Sequence, residues 1–148
     1  MDDDDIDGSV PFHDYSRKLH ILLAEDEPIN SILAATILEE KGWKVTTVAN
    51  GQEAFDTWKS GNFDLILMDV QMPEMDGFQS TAAIRLEEEK TKQHIPIVAM
   101  TAHALGGDQE KCLQAGMDGY VSKPISQGIL YNEIIKLIQM KNSSIIEE

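Results

Sequence analysis

Short apolar runs alternate along the chain with segments whose apolar residues recur every three or four positions. His20–Ala24 is apolar after its first residue and stops at three acids, Glu25, Asp26 and Glu27, as a strand covered on both faces does. From Pro28 to Lys41, Ile29, Ile32, Leu33, Ile37 and Leu38 fall at helical spacing. Pro28 suits a first helical turn and Gly42 the residue just past the end. Lys44–Val48 is short and β-branched, a second strand. Asn50 with Glu53 three residues on forms a capping pair, opening a helix with Ala54, Phe55 and Trp58 inward. Leu65–Met68 is wholly apolar and predicts a third strand. A helix from about Gly77 to Glu89, a strand at Ile95–Met100 and a helix capped by Asp108 and reaching Ala115 follow. Strand Tyr120–Ser122 and a helix from about Ser126 to Met140 complete the series.

Five apolar strands alternating with five amphipathic helices specify an α/β fold, a doubly wound parallel sheet with helices on both faces and right-handed crossovers. Ligands of such sheets bind beyond the carboxyl ends of the strands, so the residues that follow each strand are the candidates. Strand one runs into Glu25, Asp26 and Glu27, strand three into Asp69, strand four into Thr101 and strand five into Lys123 and Pro124. None is diagnostic alone: an aspartate after a strand is commonly a cap, a threonine structural, a lysine before proline a surface turn. Together they put carboxylates, a hydroxyl and an amine on one edge. Clustered carboxylates repel one another unless a cation or shared proton intervenes. A hard divalent cation answers that repulsion, and Mg2+ would keep waters and leave room for a phosphoryl oxygen. Lys123 can pair with Asp69 or an incoming phosphate, and Thr101 can donate to a phosphoryl oxygen.

Charge narrows the partners. The chain of 148 residues carries a net charge of −14, a field that repels phosphate backbones and anionic lipid and argues against nucleic acid or direct membrane contact. Half of that excess lies in the tails: residues 1–17 hold six aspartates against Arg17, and Glu147 and Glu148 end the chain. Residues 1–17, with Gly8, Ser9 and Pro11 and no periodicity, read as a flexible acidic leader or linker; calcium loops need spaced ligands and a tight glycine turn. Residues 18–141 form the domain and 142–148 a C-terminal tail. No apolar run approaches the ~20 residues of a membrane span and no signal peptide is visible. A single cysteine, Cys112, excludes an internal disulfide framework and fits a reducing cytoplasm; its spacing indicates packing.

These motifs resemble the receiver domain of two-component response regulators, over about residues 18–141. The resemblance rests on Glu25-Asp26 after strand one, Leu-Ile-Leu-Met-Asp69-Val-Gln-Met-Pro, Met100-Thr101-Ala and Tyr120-Val-Ser-Lys123-Pro124. The runs Asp69-Val-Gln-Met-Pro-Glu-Met-Asp-Gly and Gln114-Ala-Gly-Met-Asp-Gly-Tyr-Val-Ser-Lys-Pro-Ile are similar to receivers fused to hybrid sensor histidine kinases. The resemblance implies a three-layer (βα)5, flavodoxin-like sheet of order 2-1-3-4-5. It implies Asp69 as phosphoacceptor, and Asp26, Asp69 and the backbone carbonyl of Gln71 as direct Mg2+ ligands. Glu25 would hold the metal through water, and Thr101 and Lys123 would bind phosphoryl oxygens. Glu25 stands where many receivers have aspartate; its longer arm still reaches a metal-bound water. Glu27 is a helix-start charge rather than a ligand. A cis Lys123–Pro124 bond is also implied, aiming the lysine.

In the family, phosphate draws the hydroxyl at the Thr101 position inward and an aromatic at the Tyr120 position follows, changing the face of helix four, strand five and helix five. Tyr120 is equally readable as a static packed ring. Gly106 and Gly107 would give the preceding loop freedom. Gln71 and His103 are placed to tune water access, while His20 is structural. The implied partner is a sensor histidine kinase or a histidine phosphotransfer domain, with the domain a monomer or weak dimer in the cytoplasm, whether or not its parent is membrane-anchored. The eight residues after Met140 are too few for a DNA-binding helix-turn-helix. The chain is thus expected to be a stand-alone regulator or the C-terminal receiver of a hybrid kinase, and the motif wording favours the latter. As an isolated domain it is expected to be no enzyme beyond self-phosphorylation and slow self-dephosphorylation. The alternative is a non-phosphorylated flavodoxin-like binding module. A cofactor-binding flavodoxin would need a Ser/Thr/Gly loop where three acids stand. An aspartyl phosphatase would carry a second aspartate where Gln71 stands.

Overall fold

The computed structural model describes residues 18–102 and 107–147, with side chains through Lys141. The elements run β1 (His20–Ala24), α1 (Pro28–Glu39), β2 (Lys44–Val48), α2 (Gly51–Ser60) and β3 (Leu65–Asp69). They continue α3 (Gly77–Thr91), β4 (Ile97–Thr101), α4 (Gln109–Ala115), β5 (Gly119–Ser122) and α5 (Gln127–Glu147). All pairings are parallel and the strand order is β2-β1-β3-β4-β5. The expected α/β, flavodoxin-like topology is the one found.

Strand alternation divides the core in two. Ile21, Leu23, Leu65, Leu67, Val98, Met100 and Val121 pack with Ala34, Ile37 and Leu38 of α1 and with Leu130, Ile134, Leu137 and Ile138 of α5. The neighbouring positions Leu22, Ala24, Ile66, Met68, Ile97 and Ala99 face the other way, onto Ala54, Ile84 and Cys112 of α2, α3 and α4. Strands buried on both faces must be apolar at every position, which is why they read as continuous runs.

Local chemistry sets the boundaries. Asn50 Oδ1 accepts from Glu53 N–H (2.9 Å), while the Glu53 carboxylate reaches back to Ala49 N–H (2.9 Å). Asp76 and Gln79 form a reciprocal capping box at α3. The first helix ends at Glu39, two residues before the predicted end. Lys41 and Gly42 N–H groups turn back three residues to Leu38 and Glu39 carbonyls, with Gly42 at φ +85°. The fourth strand begins at Ile97, not Ile95, because Pro96 has no N–H and Ile95 N–H donates to the Glu88 carboxylate (2.6 Å). The last helix continues past Met140 to Glu147. His20 is structural as expected: Nε2 lies 2.8 Å from Thr46 Oγ1 and Nδ1 3.0 Å from the Asn62 carbonyl. Among the described residues no helix is long and apolar enough to cross a membrane.

Candidate functional site

β1, β3, β4 and β5 end side by side, so their last residues meet at one edge. Glu25, Asp26 and Asp69 each place a carboxylate oxygen within 4.8 Å of the others. Glu25 and Asp69 are buried, each 3% exposed, and Asp26 is open to solvent. Lys123 reaches in from the loop after β5: its Nζ lies 2.8 Å from Asp69 Oδ2 and 3.2 Å from Glu25 Oε1. The Lys123–Pro124 peptide is cis, as the resemblance implies. Asp69 Oδ1 accepts from Gln71 N–H (3.1 Å), and Glu25 Oε2 accepts from Glu27 N–H (3.0 Å). Glu25 Oε1 is buried and, apart from that ion pair, has no hydrogen-bond partner among the described residues.

The electrostatics follow from two buried acids sharing one base, with a third carboxylate beside them. Burial pushes the Glu25 carboxyl above its ordinary range and the Asp69 charge pushes it further, against the opposing pull of Glu27 N–H and Lys123. Burial alone would lower the Lys123 ammonium, but its bond to Asp69 and the charges of Asp69 and Glu25 outweigh that and hold it above the ordinary lysine value. The residues present fit a hard cation: an orphaned buried carboxylate oxygen, two further carboxylates and a negative balance that one ammonium leaves uncompensated.

An open cleft of about 580 Å³ begins at Asp26 and is lined by Gln71, Met72, Asp76, Phe78, Asp108 and Lys111 among others. Two of its features were not legible in the sequence. Gly77 starts α3 so close to β3 that a Cβ there would meet the Asp69 carbonyl and lie 2.9 Å from Val70 Cα, so only glycine fits beside the phosphoacceptor candidate. Thr101, fully buried, donates from Oγ1 to Asp108 Oδ2 at 2.7 Å. The expectation that Asp108 caps α4 is therefore corrected: its carboxylate makes no cap bond and goes across to β4. Glu27, by contrast, caps α1 through Ile29 N–H (3.1 Å). Tyr120 is half-buried against the core on the α4 side of the sheet. Cys112 is buried, and its thiol is pushed up by burial and by the Asp108 charge. Gly107 takes φ +97° with open space around it. His103, Gly106 and the leader 1–17 lie outside the described residues.

The family model of the response regulator receiver domain matches residues 21–135. The chain belongs to that family. The sensor histidine kinase GacS of Pseudomonas protegens is 47% identical over 122 residues, which cover 82% of this chain and 13% of the kinase. This receiver domain therefore spans only a small part of the curated hybrid kinases it matches. The solved receiver domain of the sensor histidine kinase PA1611 of Pseudomonas aeruginosa, with a magnesium ion coordinated in its active site cleft, superposes with a TM-score of 0.75. It is 39% identical, over 83% of this chain and 99% of that one. A chain of the Saccharomyces cerevisiae co-crystal structure of the histidine phosphotransfer protein Ypd1 with the receiver domain of its downstream response regulator Ssk1 gives a TM-score of 0.77. Identity there is 31%, over 84% of this receiver domain and 91% of that chain.

Proposed function

We propose that this receiver domain takes a phosphoryl group onto Asp69 from a sensor histidine kinase or a histidine phosphotransfer domain. The observation that carries the reading is the convergence of Glu25, Asp26 and Asp69 within 4.8 Å, with Lys123 Nζ 2.8 Å from the Asp69 carboxylate. Asp26, Asp69 and the Gln71 carbonyl would hold Mg2+ directly, and Glu25 through water. Bound there, the ion would neutralise the acids and the phosphoryl oxygens alike.

The Asp69 carboxylate attacks phosphorus in line; the P–N bond of a phosphohistidine, or the P–O bond of acetyl phosphate, breaks, and its electron pair leaves with the imidazole or acetate. An ionised carboxylate needs no general base for this step. Lys123 shifts from Asp69 to a phosphoryl oxygen, and the Thr101 hydroxyl donates to another, so charge is met as it moves. Pro124 aims the lysine, and Gln71 and His103 set the access of water. By strand alternation Thr101 and Tyr120 share the α4 side of the sheet, so drawing Thr101 inward vacates space for Tyr120 and alters the α4–β5–α5 surface.

Beside the site, α1 exposes Ile29 and Ile32, and Leu33 shares a small cavity with Glu25, Lys123 and Pro124. A histidine phosphotransfer domain docking on this apolar face sets its histidine over Asp69. Mass spectrometry of the intact chain after acetyl phosphate treatment tests the function. A single phosphoryl adduct is expected with Mg2+, and none with a chelator or in Asp69→Asn. An adduct that survives in Asp69→Asn overturns the assignment.

A further inference from the structure

The Thr101 hydroxyl has one proton to donate. Its donation goes to Asp108 Oδ2 at 2.7 Å, at the start of α4. Asp108 stands where an aspartate ordinarily bonds the first free amides of its own helix. Here it has helical dihedrals, φ −65° and ψ −29°, and no side-chain cap bond. Asp108 also lines the cleft that contains Asp26 and Gln71, which places it between the site and the helix. Gly107, at φ +97° where an added Cβ would meet nothing among the described residues, precedes Asp108 and gives the chain a pivot.

We propose that Asp108 is a positioning residue that holds the Thr101 hydroxyl on the α4 side in the unphosphorylated chain, and that a phosphoryl oxygen on Asp69 competes for the same hydroxyl. Loading the site thus breaks the Thr101–Asp108 bond and frees the start of α4. Asp108 is in this way both a brake on phosphorylation and the link from the site to the helix. The inference rests on Asp69 being the phosphoacceptor.

The test is the rate of phosphorylation by acetyl phosphate in Mg2+ for the wild type, Asp108→Ala, Asp108→Asn, Thr101→Val and the Asp108→Ala/Thr101→Val pair. A hydrogen bond to a charged group governs an equilibrium by about tenfold, so Asp108→Ala is expected to react about tenfold faster. Asp108→Asn, which keeps a weaker acceptor, falls between. On the Thr101→Val background the acceleration disappears, because Asp108 acts through the hydroxyl. Amide spectra give a second readout: without phosphate, Asp108→Ala moves the amides of residues 107–115 in the direction that phosphorylation moves them in the wild type. An Asp108→Ala rate equal to that of the wild type overturns the proposal. So does an acceleration of the same size on both backgrounds, which would be the removal of a negative charge from the cleft. A wild type that takes up no phosphoryl group overturns the phosphoacceptor reading and this one with it.

Discussion

Two ionic clusters sit at opposite edges of the same sheet. At the carboxyl edge Glu25 and Asp69 share the ammonium of Lys123 with Asp26 beside them, and one buried carboxylate oxygen has no hydrogen bond among the described residues. At the amino edge the Arg85 guanidinium spends Nε on the Gly116 carbonyl (2.9 Å), Nη1 on Glu88 (2.7 Å) and Nη2 on Asp118 (2.8 Å). The acids there are equally committed. Glu88 Oε2 accepts from Ile95 N–H (2.6 Å), and Asp118 Oδ2 accepts from Ile97 N–H (2.8 Å). Asp118 Oδ1 lies 2.7 Å from His94 Nε2. Both clusters are largely buried and both are charged. They differ in completeness. A closed network joins α3 to the starts of β4 and β5 and has nothing left to bind with. An open one, short of positive charge, is under electrostatic tension that a cation can relieve. Completeness of pairing, not charge as such, separates the carboxyl edge from the amino edge.

Removing one member from each edge should break the comparison in opposite ways. Arg85→Ala leaves the buried Glu88 and the half-buried Asp118 without their cation, and urea unfolding is expected to show a loss of about 3 kcal/mol. Its Mg2+ affinity and phosphorylation rate, measured where it is folded, stay at the wild-type values. A rate change would mean that the two edges communicate. At the reactive edge, saturating Mg2+ should stabilise the chain, by about 2.7 kcal/mol at a hundredfold excess over Kd. In Asp26→Ala the melting temperature should no longer respond to Mg2+, and a response that persists there would remove Asp26 from the ligand set.

Acid sharpens the same contrast. With its pKa raised above 4.5, the Glu25 carboxyl takes up a proton in the folded chain at a pH where the unfolded chain is still ionised. Without metal, its contribution to stability is present in full below 4.5 and lost as pH rises through the folded value. Mg2+ needs the carboxylate, so its affinity should fall on acidification before an ordinary glutamate would titrate. Glu25→Gln should flatten that portion of a calorimetric pH profile. Lys123 behaves in the opposite range: its stabilising contribution holds through neutral pH and is lost above 10.5, through its raised value. The smallest effect belongs to the solvent-facing member of the closed network. His94→Ala, at a side chain 58% exposed, should cost no more than about 1 kcal/mol in urea unfolding. A larger loss would show that His94 closes the network rather than decorating it.

The reactive edge was legible in the sequence because its residues are each fixed by a strand. A strand buried on both faces must end where the apolar run ends, so Glu25, Asp69 and Thr101 announce themselves as the first polar residues after such runs, with Asp26 and Lys123 one position beyond a first polar residue. Parallel topology then brings those ends together. The closed network gave no such signal, since Arg85 and Asp118 stand 33 residues apart and each looks like an ordinary surface charge. Gly77 reads as a helix start, and only the approach of α3 to β3 shows why no Cβ fits there. Asp108 reads as a cap, because an aspartate before a helix offers its carboxylate to the nearest amides unless another donor is nearer. The order of elements, the two faces of the sheet and the polar residues that meet at its carboxyl edge could all be read from the chain, as consequences of where apolar side chains can be hidden. Only the tertiary structure decided which of two hydrogen-bond partners each polar side chain took, because that choice is made by distances between residues remote in the chain.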